Sequence, residues 1–412
     1  MCAAAAPLEV DVAIVGGGMV GASLAAALSG SGRRLILVES APFGTAAQPS
    51  FDERTTALGN VSRRIFEGLA VWDRIAPEAA AIRNIHVSEA GRFGFARLVA
   101  GEQGVEAFGY VVANRCIGAA LWQRLRSAPD LTLQAPARVE DIAVTAAGVR
   151  FTVVNESHAA VPVVARLMVA ADGAHSQIRN AANIGVDVVD YDQVAVVANI
   201  AADRAHEGNA YERFTPAGPL ALLPRHDGGL AVIWACRPQR AQALLALEQD
   251  AYLAELQSQF GWRAGRFLSA GPRSSYPLRL TRATASVATR TVLIGNAAQA
   301  LHPVAGQGFN LGLRDAAMLA EVIAGTAGDA GAPEVLRQFV DWRARDRRGV
   351  VRFTDGLIRL FGDSRPGAAL LRNLGLLMFD LTPPAKSALA RVSAGFGGPT
   401  PRLARGLSLP HV

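Results

Sequence analysis

An apolar, β-branched run, EVDVAIV (residues 9–15), leads into Gly16-Gly17-Gly18-Met19-Val20-Gly21 and then into a helical pattern over Ala22–Leu28. A second apolar run, Leu35-Ile36-Leu37-Val38, ends at Glu39, 18 residues beyond Gly21. A GxGxxG turn between strand and helix lets the backbone approach a pyrophosphate and aims a helix N-terminus at it, while an acid closing the next strand suits ribose hydroxyls. The glycines alone say little. Flanked by strand, helix, strand and terminal acid, they predict a βαβ dinucleotide-binding unit.

A second stretch, VLIGNAAQALHPVAGQGFNLGLRDA (Val292–Ala316), reads the same way from the other end of the chain. Val292, Leu293 and Ile294 predict a buried strand, ended by Gly295 and Asn296. A turn-rich segment with Pro303, Gly306 and Gly308 follows, and a helical pattern begins at Phe309. Strand, glycine loop and helix N-terminus together suit a flat, partly anionic ligand.

Composition narrows the class. At 412 residues the chain holds one large or two ordinary domains. Half the residues are apolar, yet no run reads as the ~18 predominantly apolar residues of a membrane span. Met1–Leu8 lacks a basic n-region and runs straight into the first strand, so no signal peptide is expected. Cys2, Cys116 and Cys236 are scattered without metal spacing, which fits a reducing cytoplasm and no metal site. The net charge of +6 comes from 41 basic residues, of which only Lys386 is lysine. Arginine and alanine enrichment together read as codon bias, and no nucleic-acid partner is inferred.

Along the chain, residues 41–60 read as a polar loop leading to a helix over Ser62–Leu69. Strands are expected across 82–112, near 131–134, 139–144 and 149–154, and over Arg166–Ala171, the last ending at Asp172-Gly173. Between 185 and 285, strand runs alternate with turns and one helix, Gln242–Phe260, interrupts them. This region, with 75–110, reads as an antiparallel-sheet domain inserted into the first. The tail from 334 is helical, broken by Pro366 and Pro383-Pro384.

Three motifs stand in order: Gly16–Gly21, ADGAHSQIR (Ala171–Arg179) and Gly295–Asp315, with DERTTAL (Asp52–Leu58) after the first. On these the chain resembles, over nearly its whole length, the flavin-dependent aromatic hydroxylases of ubiquinone biosynthesis, a branch of the class A flavin monooxygenases. GNAAQALHPVAGQGFNLGLRDA looks most like the 2-polyprenyl-6-methoxyphenol hydroxylases, where Asn296 replaces the superfamily's usual aspartate. The resemblance implies an α/β, para-hydroxybenzoate-hydroxylase-like fold: a Rossmann-like FAD-binding domain, an inserted antiparallel-sheet substrate domain and a helical C-terminal tail. The expected division is 1–74, 111–184 and 286–333 for FAD, 75–110 and 185–285 for substrate, and 334–412 for the tail. It further implies that Gly16, Gly18 and Gly21 surround the FAD pyrophosphate and Glu39 holds the adenosine ribose. Arg54 would reach the flavin side of the cleft, Asp172 would sit beside the pyrophosphate, and Asn296 would anchor the ribityl chain. Pro303, Gly306, Gln307 and Gly308 would lie against the isoalloxazine, with Asn310 on the helix behind.

Only one dinucleotide fingerprint is present, so NAD(P)H is expected to visit as a transient reductant without a domain of its own. The implied activity is NAD(P)H- and O2-dependent hydroxylation of a polyprenylated phenol by a flavin hydroperoxide, with non-covalent FAD and no assigned catalytic side chain. A same-class hydroxylase acting on another ring position or on a soluble phenol is the alternative, and a non-catalytic flavin-binding protein a third. Plainer readings stand beside these: Arg54 as a surface arginine, Asp172-Gly173 as an ordinary turn, His302 as structural, and Cys116 and Cys236 as core residues. Arg343, Arg345, Arg347, Arg348 and Arg352 beside an apolar helical pattern suit peripheral attachment to the inner membrane or to a ubiquinone-biosynthesis complex. A solvated arginine face or a homo-oligomer contact is the bland reading of the same segment.

Overall fold

The computed structural model describes residues 6–42, 44–45, 54–300, 307–344, 378–395 and 400–410. The first apolar run forms β1 (Leu8–Val15), the glycine turn opens α1 (Met19–Leu28), and β2 (Leu35–Val38) follows. Next come β3 (Thr55–Gly59), α2 (Asn60–Gly68), α3 (Trp72–Ile75), β4 (Ala80–Ile82), β5 (Asn84–Glu89), β6 (Phe95–Val99) and β7 (Gly109–Ala113). Helix α4 (Asn114–Leu125) leads to β8 (Leu131–Gln134), β9 (Ala137–Val144), β10 (Val149–Asn155), β11 (Ala160–Ala170) and α5 (Gln177–Ala181). Then follow β12 (Val186–Ala202), β13 (Asn209–Thr215), β14 (Gly218–Pro224), β15 (Leu230–Cys236), α6 (Pro238–Ala246) and α7 (Gln249–Phe260). The chain continues through β16 (Phe267–Ala270), β17 (Ser274–Ala283), β18 (Val287–Ala288), β19 (Thr291–Leu293), β20 (Gln299–Ala300), α8 (Gln307–Ala324) and α9 (Pro383–Ser393). Residues 333–344 are also helical.

The first sheet has the order β18-β19-β11-β1-β2-β8. Its centre is parallel: Val12 pairs with Leu35 on one side and Leu167 on the other, and β11 pairs with β19 in parallel. Successive residues of β1 serve two cores, as a doubly covered parallel sheet requires. Val12 and Ile14 pack with α1, α4 and α8, while Val10, Ala13 and Val15 pack with Phe151 and Val153 of the antiparallel β9–β10 extension. This arrangement sets the C-terminal ends of β1, β11 and β19 side by side, where the glycine turns emerge.

The second sheet runs β20-β17-β12-β15-β14-β13-β5-β6 and is antiparallel except for the β13–β5 pair. Helices α6 and α7 cover one face, burying Trp234, Tyr252, Leu256 and Phe260. The opposite face meets a small sheet, β3-β7-β4, through Ala210, Leu98, Ile82 and Val111.

Two local expectations need correction. The end of the expected loop 41–60 is β3, whose Thr55 and Thr56 pair with Ala113 and Val112 of β7. A short polar strand of this kind owes its form to its partner more than to its own pattern. The single helix expected over Gln242–Phe260 is two helices, because Leu247 and Glu248 are extended, with ψ of 147° and 160°. Helix α6 starts earlier, at Pro238, a residue whose fixed φ suits a first helical turn.

Candidate active site

Where β1 meets α1, the turn is tight enough to exclude side chains. Gly16 has φ +104° and donates its N–H to the Val38 carbonyl at 2.8 Å. A Cβ at Gly16 would lie 2.4 Å from the Ala171 carbonyl oxygen, and one at Gly21 would lie 1.9 Å from the Gly16 oxygen. Gly18 is the N-cap of α1, which has neither a side-chain cap nor an acid in its first turn. The positive end of the helix is therefore open to an anion. Glu39 is 8% exposed; its Oε2 accepts the Gly17 N–H at 2.6 Å and its Oε1 accepts the Ala41 N–H at 2.8 Å. The indole of Trp122 donates to the Gly17 carbonyl at 3.2 Å, so the turn is clamped from both sides.

Asp172 lies just past β11, against the Gly16 turn. Its Oδ2 accepts the Ile178 N–H at 3.2 Å, while Oδ1 is buried with no hydrogen-bond partner among the described residues. Burial raises its pKa above the ordinary carboxylate value, against the opposing pull of hydrogen bonds from Ser176 and Ile178. Ser176 caps α5 by accepting the Arg179 N–H. Arg179, itself buried, donates to the carbonyls of Ala297 at 3.1 Å and Ala174 at 3.0 Å. The ADGAHSQIR motif thus ties the β11 turn to the segment that carries Asn296.

Asn296 is exposed between the buried Gly295 and Ala297. Gly295 has φ +58°, and its N–H donates to Asp315 Oδ2 at 3.3 Å. A Cβ on Gly312 would lie 3.0 Å from both Gly295 Cα and Val20, so α8 and α1 approach closely at this turn. Pro303, Gly306, His302 and the side chain of Gln307 lie outside the described residues. Gly308, in the first turn of α8, has nothing among the described residues within 4 Å of where its Cβ would stand. Asn310 is 3% exposed and its amide is engaged by the chain itself. Oδ1 accepts the Gly59 N–H at 2.9 Å and the Ser62 hydroxyl at 2.6 Å, and Nδ2 donates to the Ala57 carbonyl at 2.8 Å. It fastens β3 to α8. Arg54, at the start of that strand, holds its guanidinium 4.6 Å from the Tyr276 ring centroid on β17.

The glycine turn, Glu39 and Asp172 therefore gather at one end, and Arg54, Gly308 and Asn310 at the other, with Gly295–Ala298 between them. Tyr276 and the Asp315–Arg343 pair belong to this neighbourhood, and motif reading does not single them out. Tyr276 sits in an ordinary alternating strand; Asp315 closes a quoted motif, but its partner is far downstream. Arg343, grouped by sequence with a solvated basic face, is instead fully buried by that pairing. Arg345, Arg347, Arg348 and Arg352 lie outside the described residues. Cys236 is fully buried, and burial pushes its thiol up to about 11, which makes it inert core.

The cradle closed to any Cβ at Gly16 and Gly21, the uncapped α1 terminus and the orphaned Asp172 oxygen fit a dinucleotide with its pyrophosphate and hydroxyls. Residues 9–354 match the family model described as FAD binding domain. A ubiquinone hydroxylase, UbiL, of Rhodospirillum rubrum is 37% identical over 406 residues, covering 97% of this chain and 93% of the relative. The 3-demethoxyubiquinol 3-hydroxylase of Escherichia coli is 32% identical over 381 residues, covering 89% and 94%. Among solved structures, the p-nitrophenol 4-monooxygenase PnpA of Pseudomonas putida superposes with a TM-score of 0.79 at 18% identity, over 95% of this chain and 99% of that one. That likeness shows the fold, a class A flavin-monooxygenase architecture. Matched over most of its length by the family model and over nearly all of it by the R. rubrum relative, the chain belongs to the FAD-binding-domain family and, within it, to the FAD-dependent monooxygenases of ubiquinone biosynthesis.

Proposed function

We propose that this enzyme converts a 2-polyprenyl-6-methoxyphenol to the corresponding 1,4-benzoquinol, with NAD(P)H and O2 consumed and NAD(P)+ and water released. The observation that carries the reading is the contact of Arg54, at the start of β3, with the ring of Tyr276 on the sheet face opposite α6 and α7. A cation and an aromatic ring beside the start of α8 suit a phenol held next to a flavin. The Gly295–Asp315 sequence, with Asn296, favours this branch. The E. coli relative is named for a different ring position, and this makes a sister ring position the second reading.

In this assignment Gly16, Gly18 and Gly21 receive the pyrophosphate, Glu39 the adenosine ribose, and Asp172 Oδ1 a hydroxyl of the bound dinucleotide. Asn296 would anchor the ribityl chain and Gly308, in the first turn of α8, would stand against the isoalloxazine; Pro303, Gly306 and Gln307 are assigned to the same ring from the sequence. Asn310 acts at one remove, holding β3 and hence Arg54 in place. FAD supplies the chemistry that passes electrons from NAD(P)H to O2 and one oxygen atom to the ring. The protein orients the ring carbon opposite the phenol oxygen and keeps water out. The α8 N-terminus stabilises negative charge on the reduced cofactor. The division into FAD-binding and substrate domains at the boundaries given above belongs to the same proposal, although β7 runs across 110/111.

Among the described residues no helix is long and apolar enough to cross a membrane. We place the protein in the cytoplasm and peripheral on the inner membrane, where a polyprenylated substrate resides. Incubation with NAD(P)H, labelled O2 and a short-chain prenyl methoxyphenol is expected to place one labelled oxygen para to the phenol. Label at another ring carbon moves the enzyme to the sister reading. No label on any prenylated phenol, with turnover of a soluble aromatic instead, overturns the lipid assignment.

A further inference from the structure

Strand β13 places its side chains alternately on the two faces of the second sheet. Tyr211 packs edge-on against Phe260 of α7, and Arg213 donates to the Gln259 carbonyl of the same helix at 3.0 Å. Both therefore lie on the helix-covered face. Glu212, between them, lies on the other. Directly paired residues share a face, and the register carries Glu212 to Ala221 of β14, then to Ile233 of β15 and Val197 of β12, with Val87 of β5 on its other side. This row is apolar except for the one carboxylate.

The same face carries Tyr276, paired with Ala195 on β17, and the Arg54 guanidinium stands over its ring. Glu212 and Tyr276 are four strands apart, roughly 19 Å at about 4.8 Å per strand.

Among the described residues no hydrogen-bond donor or cation reaches the Glu212 carboxylate. The residue is half-buried, and its desolvation pushes its pKa up to about 7, with no charged neighbour among the described residues contributing. The other titratable groups bordering the face are Glu89, one place along on β5, and Tyr276 with Arg54 at the far side. On α9, packed against the edge of this face, Lys386 pairs with Asp380 rather than with Glu212. An acid held bare on an apolar wall costs stability, and such groups concentrate where a proton is moved.

We propose that Glu212 is the base that removes the phenolic proton of the bound substrate. The proposal rests on the phenol-hydroxylase reading above. The O–H bond of the phenol breaks, its proton moves to a Glu212 carboxylate oxygen, and the electron pair stays on the ring oxygen. There it raises the electron density of the carbon opposite, which receives the oxygen atom and then gives up its own hydrogen as a proton to the water that forms, restoring the aromatic ring. Glu212 returns the proton to a ring oxygen of the product, so the residue ends the cycle as it began.

The test compares the FAD-loaded parent with Glu212→Gln and Glu212→Asp, using a short-chain 2-prenyl-6-methoxyphenol. Flavin content and the rate of flavin reduction by NAD(P)H serve as folding controls and are expected to match the parent. Hydroxylation by Glu212→Gln at neutral pH is expected to fall about 100-fold or more, the usual worth of a general base. Its rate should recover as pH rises toward the ionisation of the free phenol, about 10 for a simple phenol. Glu212→Asp should keep the parent's acidic limb at a reduced rate. A glutamine variant within about threefold of the parent, with an unmoved acidic limb, overturns the proposal while leaving the phenol-hydroxylase reading intact. A parent that hydroxylates only a soluble phenol removes the lipid assignment, and the same comparison on that phenol decides the role of Glu212. A parent that hydroxylates no phenol at all overturns both.

Discussion

Arg343 donates from Nε to Asp315 Oδ1 at 2.6 Å, and the two charged side chains are 1% and 0% exposed. The second oxygen of Asp315 accepts from the Gly295 N–H and from Gln299 Nε2. One buried ion pair thus holds the turn that carries Asn296, and it does so from the helical segment 333–344. Removing the cation alone breaks a buried ion pair, a change that typically costs ~3–5 kcal/mol. Arg343→Met is therefore expected to lower the denaturation midpoint strongly and to loosen flavin with it. Urea unfolding of the apoprotein measures this, and a loss under about 1 kcal/mol would remove the pair from the account.

Two glycines of the site separate fold from ligand. At Gly21 a Cβ meets the Gly16 carbonyl at 1.9 Å, so Gly21→Ala is expected to lose stability and flavin together. At Gly308 none of the described residues occupies that space. Gly308→Val should melt like the parent as apoprotein, yet bind flavin more weakly or oxidise NAD(P)H without forming product. Normal flavin content with fully coupled turnover would place the isoalloxazine elsewhere.

How far the site is legible in sequence depends on whether its contacts are local. The Gly16–Gly21 turn and Glu39 belong to one βαβ unit, so their spacing alone specifies the geometry. Asn310 joins Gly59 and Ser62 across 251 and 248 residues, and no periodicity of α8 announces those partners. The same limit hides the stacking of Arg54 on Tyr276, and it lets Arg343 read as one of a surface run. Glu212 is the extreme case. Its neighbours in the strand are unremarkable, and only the register across the sheet reveals that this acid stands in an otherwise apolar row. The strand β3 was illegible for a related reason, since its form depends on pairing with β7.

His86 gives a pH signature in the opposite sense to that of Glu212. It is buried, stacks on Phe95, and leaves Nε2 without a partner among the described residues. Burial first, then the nearby Arg263 and Arg97, pull its pKa down to about 4 from an ordinary 6.5. The unfolded chain takes up this proton as pH falls below 6.5, while the folded chain refuses it until about 4. Stability is therefore present above 6.5 and lost progressively across that window. His86→Phe should flatten the fall in melting temperature between pH 6.5 and 4, and parallel curves for the two proteins would contradict the assignment.

Glu212 makes a prediction that needs no substrate. Its folded pKa is pushed up to about 7 from an ordinary 4.5, so the folded chain holds this proton more tightly than the unfolded one. The contribution to stability is fully present below 4.5 and is lost as pH rises through 7, because ionisation then places an unpartnered charge on an apolar face. Glutamine keeps the shape and cannot ionise. Glu212→Gln should therefore match the parent near pH 4.5 and melt higher than the parent at pH 8, with the gap opening between those values. Melting curves of both apoproteins across this range measure it directly. A gap that is constant with pH would mean that the carboxylate is already ionised and solvated in the folded chain, and the case for Glu212 as a base would lose its electrostatic footing.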